Sequence, residues 1–141
     1  MIITKKQLAR MDRGCPFFDI KDVEFDYVDE PILITDEVTT GAATGLEIFK
    51  ANAPFKFEIL DVIVQARGTG DATGTMKLTD GTNDITDTIT CADTDKAINR
   101  AGTIDDAYST IEKGGTLEIV CAGGTIANVK GLVTVVVREV D

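Results

Sequence analysis

The sequence predicts an all-β protein, an antiparallel β-sandwich or jelly roll, preceded by an extended N-terminal arm with room for one short helix. Three observations lead there. Short runs rich in Val, Ile, Thr and Phe recur about every 8 to 14 residues, with Gly, Asn, Asp and Pro between them, as strands and turns do in two-sheet folds. Beyond the arm, no long stretch repeats its apolar residues at helical spacing. Finally, 43% of the 141 residues are hydrophobic and 27% charged, which suits one globular domain and is too apolar for a disordered chain. Trp is absent and aromatics make up only 6%. The core is therefore expected to be aliphatic, with Phe49, Phe55 and Phe57 as its bulkiest part.

Residues 1–30 read as a docking arm and residues 31–141 as the sandwich. In the arm, Thr4 can cap a helix over residues 5–12, with Leu8 and Met11 on one side, before Gly14 and Pro16 end it. A helix that short is marginal alone in water and needs a partner surface. Phe17, Phe18 and Ile20 follow in a charged segment; they either fold back on the body or stay exposed, as contact patches do. Val23, Phe25 and Tyr27 alternate with Glu24 and Asp26, a strand with one wet face.

After Pro31, residues 32–38 read as a strand, 39–45 as a loop, and Leu46, Ile48 and Phe49 as a second strand ending at Asn52 and Pro54. The central strand is expected at residues 55–64, FKFEILDVIV. Its apolar phase begins on Phe55, Phe57 and Ile59, then moves to Leu60, Val62 and Val64. A bulge near Ile59 or Leu60, bending the strand between faces, explains that slip; the alternative is a strand buried on both sides with Asp61 at a kink or edge. Residues 67–74, RGTGDATG, are expected to be a hairpin-end loop. They lack the Gly-Lys-Ser/Thr ending of a phosphate loop, and no helix follows.

Met76 and Leu78 mark the next strand, and Asp80-Gly81-Thr82-Asn83 is hairpin chemistry because Gly and Asn accept positive φ. Ile85 and Ile89 continue beyond it. Residues 96–100 read as a strand and 101–111 as an irregular connection with one helical turn at 105–108. Lys113-Gly114-Gly115 is a turn, Leu117, Ile119 and Cys121 a strand, and 122–128 a loop. The β-branched run 132–140, LVTVVVREV, is expected in the centre of a sheet.

The charge of −10 is uneven. Over residues 1–21, Lys5, Lys6, Arg10, Arg13 and Lys21 meet only Asp12 and Asp19, whereas the remainder carries 9 basic and 22 acidic side chains. Such a body repels phosphate backbones and anionic lipid, so neither nucleic acid nor membrane is an expected partner. The arm reads either as a solvated tail or as a docking segment for an acidic surface. No run approaches the roughly 18 apolar residues of a membrane span, and no secretory signal is visible.

Histidine is absent, which removes the commonest general base and zinc ligand. Cys15, Cys91 and Cys121 have neither metal spacing nor an even count, and Cys91 and Cys121 sit in strand contexts as small core residues. Asp80, Asn83, Asp84 and Asp87 do not follow a calcium-loop order; Asp93 and Asp95 read as turn acids. Two Tyr are too few for a stacking carbohydrate platform. No enzyme, cofactor or resident metal is expected.

The run FEILDVIVQARGTGDATGTMKLTDGTNDIT, followed by AGTIDDAYSTIEKGGTLEIV and the valine-rich last strand, resembles the small acidic head-decoration (cement) proteins of tailed bacteriophages. The likeness covers about three quarters of the chain, residues 35–140, and lies in strand-and-turn texture. It implies a β-sandwich made in the host cytoplasm and placed on the outer capsid surface of the virion. There it would bridge major capsid protein subunits, often as a homotrimer, without catalytic residues. In this picture the partner-binding residues are Lys5, Lys6, Leu8, Arg10, Met11, Arg13, Phe17, Phe18 and Ile20 of the arm. The alternative is a receptor- or glycan-binding β-sandwich module of a virion fibre.

Overall fold

The computed structural model describes residues 30–68, 70–91 and 94–141, and the sandwich is a unit of its own, Ile32–Asp141. The expected helix over residues 5–12, the strand at Val23, Phe25 and Tyr27, Cys15 and Asp93 lie outside the described residues.

Nine strands form among the described residues: β1 (Ile32–Val38), β2 (Leu46–Phe49), β3 (Phe57–Ala66), β4 (Thr75–Thr79), β5 (Ile89–Thr90), β6 (Ile98–Arg100), β7 (Thr110–Ile111), β8 (Leu117–Ala122) and β9 (Gly131–Glu139). One sheet has the order β1-β9-β3-β6, with β7 also on β3; the other has β2-β8-β4-β5. All pairings are antiparallel. With β7 set aside, the partners are β4 with β5, β3 with β6, β2 with β8 and β1 with β9. A long hairpin with its tip between β4 and β5 has been wound so that its rungs alternate between two sheets, and that is the jelly roll.

Alternation fills the space between the sheets. Val62, Val64, Val133, Val135 and Val137 from one sheet and Met76, Leu78, Leu117 and Ile119 from the other are buried in one core cluster. β9, between β1 and β3, supplies Val133, Val135 and Val137, and β-branched side chains suit a pleated, buried surface. Phe57 is fully buried; Phe55 meets it edge-on with ring centroids 5.8 Å apart, and Phe49 lies 6.2 Å away.

The slip in the central strand is a bulge at Leu60. Ile59 pairs with Val137 and Asp61 with Val136, so Leu60 has no partner on β9. The strand does not pass between faces, however. Phe57 and Ile59 before the bulge and Val62 and Val64 after it are all buried in the same core, whereas Leu60 is 43% exposed. The extra residue absorbs the phase slip and returns the second half of the strand to the core side. The strand also starts two residues later than the sequence suggests: Phe55 precedes it and contributes only its ring to the core.

The described part of residues 67–74 is a loop but not a hairpin end, because β3 and β4 belong to different sheets. The Asp71 carboxylate accepts hydrogen bonds from the Thr73 N–H at 2.7 Å, the Thr73 hydroxyl at 2.6 Å and the Thr125 N–H. This fastens the crossing to the loop before a single 3-10 turn at Ile126–Asn128. The Asp80 turn is a true hairpin element. Asp80 Oδ1 accepts from the N–H groups of Thr82 at 2.8 Å and Asn83 at 2.6 Å, and Gly81 alone takes the positive φ, +92°. Asn83 does not need that conformation here.

Candidate interaction surface

The two outer faces of the sandwich differ. On the sheet of β2, β8, β4 and β5, the outward positions carry Glu47 opposite Glu118, and Lys77 opposite Val120, an ordinary wet face. On the other sheet, residues that pair across strands place Leu33 beside Val136, and Leu132 beside Gln65, which in turn faces Ile98. Ile63 and the bulged Leu60 share this side. Leu33 and Ile98 are each 63% exposed, the largest values among the exposed large apolar side chains. Water-facing aliphatic groups on a sheet already closed on its other face are a mark of contact surfaces.

Ion pairs frame the apolar strip. Arg100 Nε lies 3.3 Å from Asp61 Oδ2, and Arg138 Nε donates to Glu58 at 2.8 Å. Both are exposed cross-strand pairs that hold side chains in place more than they add stability. The Asp61 carboxylate also accepts from the Val62 N–H at 2.8 Å, which fixes the backbone just after the bulge.

No part of the described sandwich assembles a nucleophile with a base. Cys91 and Cys121 are buried, and the Cys91 thiol donates to the Lys130 carbonyl at 3.0 Å. Burial pushes both thiols up from their ordinary value, for Cys91 with a smaller contribution from Cys121, so they are packing groups. A hollow of about 330 Å³ is rimmed by Asp84, Asp87 and Asp105. Its carboxylates are already engaged: Asp84 pairs with Lys77 Nζ at 2.8 Å, Asp87 accepts from the Gly102 N–H at 2.9 Å, and Asp105 from the Ala107 N–H at 2.9 Å. They do not converge on one point as cation ligands must, and among the described residues no group of three or more acidic or Cys side chains is disposed to hold a metal.

Two carboxyls are tuned by the turns they close. Hydrogen bonds from the Thr73 hydroxyl, then from the N–H groups of Thr73 and Thr125, hold Asp71 below the usual carboxylate value. At Asp80, partial burial works to raise the value, but donors from Asn83 and Thr82 outweigh it and the carboxyl is held low. Both are structural acids.

The partner-binding residues expected from the sequence, Lys5, Lys6, Leu8, Arg10, Met11, Arg13, Phe17, Phe18 and Ile20, lie outside the described residues. Sequence reasoning missed the outer strip altogether. Its signal was present in two places, Ile32-Leu33-Ile34 and the run from Leu132 to Val137, where apolar residues occupy both phases of a strand instead of one. Comparison with family models, with curated proteins and with solved structures found no match.

Proposed function

We propose that this protein is a capsid decoration subunit: a homo-oligomeric jelly roll that sits on the outer lattice of a virion and stabilises it by bridging major capsid protein subunits. The observation that carries this reading is the set of exposed aliphatic side chains, Leu33, Leu60 and Ile98, on one outer face of an acidic sandwich. An acidic body stays soluble and avoids nucleic acid, and a strip of modest area suits contacts that are weak singly and gain strength through repetition on a lattice. The cationic arm supplies a second attachment of opposite sign. The likeness to cement proteins and the jelly-roll class, which also serves capsid and lectin domains, are in accord with this role.

Co-sedimentation of the purified chain with capsids, and greater resistance of decorated capsids to heat, are the expected results. Removing residues 1–21 should weaken capsid binding by at least about tenfold, since one of two linked attachments is lost. Equal binding by the truncated and full chains would remove the arm from the mechanism. Absence of binding by the full chain, with specific retention on a glycan array, would favour the lectin-like alternative of a receptor-binding module.

A further inference from the structure

The sheet that carries the apolar strip ends in a row of like charges. The β3–β9 register runs to Ala66 opposite Gly131. The Arg67 N–H then donates to the Lys130 carbonyl at 3.1 Å, which carries the ladder one pair further and sets Arg67 opposite Lys130. Alternation puts both side chains on the outer side, next to the pair Gln65 and Leu132. On the other flank of β3, Ala66 accepts from the Lys96 N–H and donates to the Ala97 carbonyl, both at 2.8 Å. Two residues thus face one, a bulge whose first residue, Lys96, takes a φ of +66° where glycine is the usual occupant. Lys96 and Lys130 therefore flank Arg67 from the two neighbouring strands, and both are exposed.

The arrangement is unfavourable as it stands. Cations directly opposite each other on neighbouring strands repel. Acids are plentiful, 22 against 9 bases outside residues 1–21, and Lys50, Lys56, Lys77, Arg100 and Arg138 each hold one in an ion pair. Among the described residues Arg67, Lys96 and Lys130 hold none. Asp95, the acid beside Lys96, instead accepts from the Gly68 N–H at 2.7 Å. The Arg67 Nε is buried without an acceptor among the described residues, and a buried donor left unmet is costly. An anion seated at this corner relieves both the repulsion and the unmet donor.

We propose that the corner of Arg67, Lys96 and Lys130 binds a partner protein through carboxylates that stand beside an aliphatic side chain. The Arg67 guanidinium is a fork shaped for a carboxylate, and the two lysines add charge on either side of it. The aliphatic half of the preference comes from the next row of the sheet, where Leu132 and Ile98 flank Gln65 and Ile98 is largely exposed. Nucleic acid and anionic lipid offer the same sign of charge, but as an extended array that the acidic body around the corner repels. A few carboxylates on a protein meet the corner alone. The inference rests on the decoration reading only in naming the major capsid protein as the partner that carries them.

The experiment is a titration of the full chain, followed by amide NMR shifts, with a soluble peptide that has a Glu-Glu-Leu-Glu core, with its Gln-for-Glu counterpart, and with sodium tripolyphosphate. The Glu peptide should give saturable shifts at Arg67, Gly68, Ile98 and Lys130, and the Gln peptide none. Lys130→Glu and Lys96→Gly should each weaken that binding by at least about tenfold. Lys113→Glu, an exposed charge reversal beyond β7 at the opposite end of β3, should leave it unchanged. Urea midpoints check that each variant folds, and that of Lys96→Gly should rise because glycine accepts the positive φ without strain. Shifts confined to residues 1–21, corner variants that bind like the wild type, or tripolyphosphate held as tightly as the peptide would overturn the assignment. Capsid co-sedimentation run in parallel separates the two readings: peptide bound at the corner by a chain that does not sediment with capsids sinks the decoration role alone, and capsid binding without peptide binding at the corner sinks the corner alone.

Discussion

Gly41 and Gly45 flank the same loop, yet they are not equivalent. A Cβ built on Gly41 would lie 2.1 Å from the Ile126 carbonyl oxygen, a backbone atom, whereas at Gly45 it would lie 2.0 Å from the end of the Glu118 side chain. Backbone cannot swing away and a Glu carboxylate can. Gly41→Ala should therefore lower the unfolding free energy strongly, by about 2 kcal/mol or more, and Gly45→Ala much less, as equilibrium unfolding of the two variants in urea will show. The buried thiols give a second expectation at this scale. With Cys15→Ser as background, Cys91 and Cys121 should resist alkylation in the native protein at pH 8 and react fully in denaturant. Their raised values also set a sign: the neutral thiols favour the fold below the ordinary value of 9.0, and that contribution is lost as pH rises through the folded values.

At the scale of elements, the bulge in β3 makes a prediction by deletion. Removing Leu60 leaves Ile59, Asp61 and Val62 in strict alternation, opposite Val137, Val136 and Val135, with which they already pair. The strand should straighten and remain folded. Removing Ile63 instead leaves no register that keeps both halves inward: either Val64 turns to solvent or Asp61 turns to the core. That variant should lose several kcal/mol, within the range of large core disruptions, and thermal unfolding of the two deletions will distinguish them. The turns contribute in acid. The depressed Asp71 and Asp80 carboxyls stabilise the fold above their unfolded value of 3.8 and lose that contribution as pH falls through their lower folded values. Asp71→Asn and Asp80→Asn should each flatten the decline in stability below about pH 4, measured as urea midpoint against pH.

Over the whole molecule, the core cluster formed by the described residues holds both sheets and lies within Ile32–Asp141. A fragment of residues 32–141 should therefore fold cooperatively, with coincident circular dichroism and fluorescence transitions. Non-coincident transitions would show that residues 1–31 complete the core. The charge division has a further consequence at this scale: the attachment proposed for the basic arm is screened by salt and should weaken as ionic strength rises past about 0.15 M.

The sequence by itself determined the class of fold and nearly every strand, because two-residue periodicity and turn chemistry are local properties. Asp80-Gly81 announced its hairpin, Leu117 to Cys121 its alternation, and residues 132–140 a central strand. The phase slip at Leu60 was legible as a bulge, but its purpose was not: only the position of β9 shows that the slip keeps Val62 and Val64 in the core. The tertiary structure alone decided that β3 and β4 lie in different sheets, since the crossing and a hairpin loop use the same residue types. It also decided the candidate surface. Leu33 and Ile98 are distant in sequence and are related only by the order of four strands, and strand order is set by long-range pairing that no local pattern encodes.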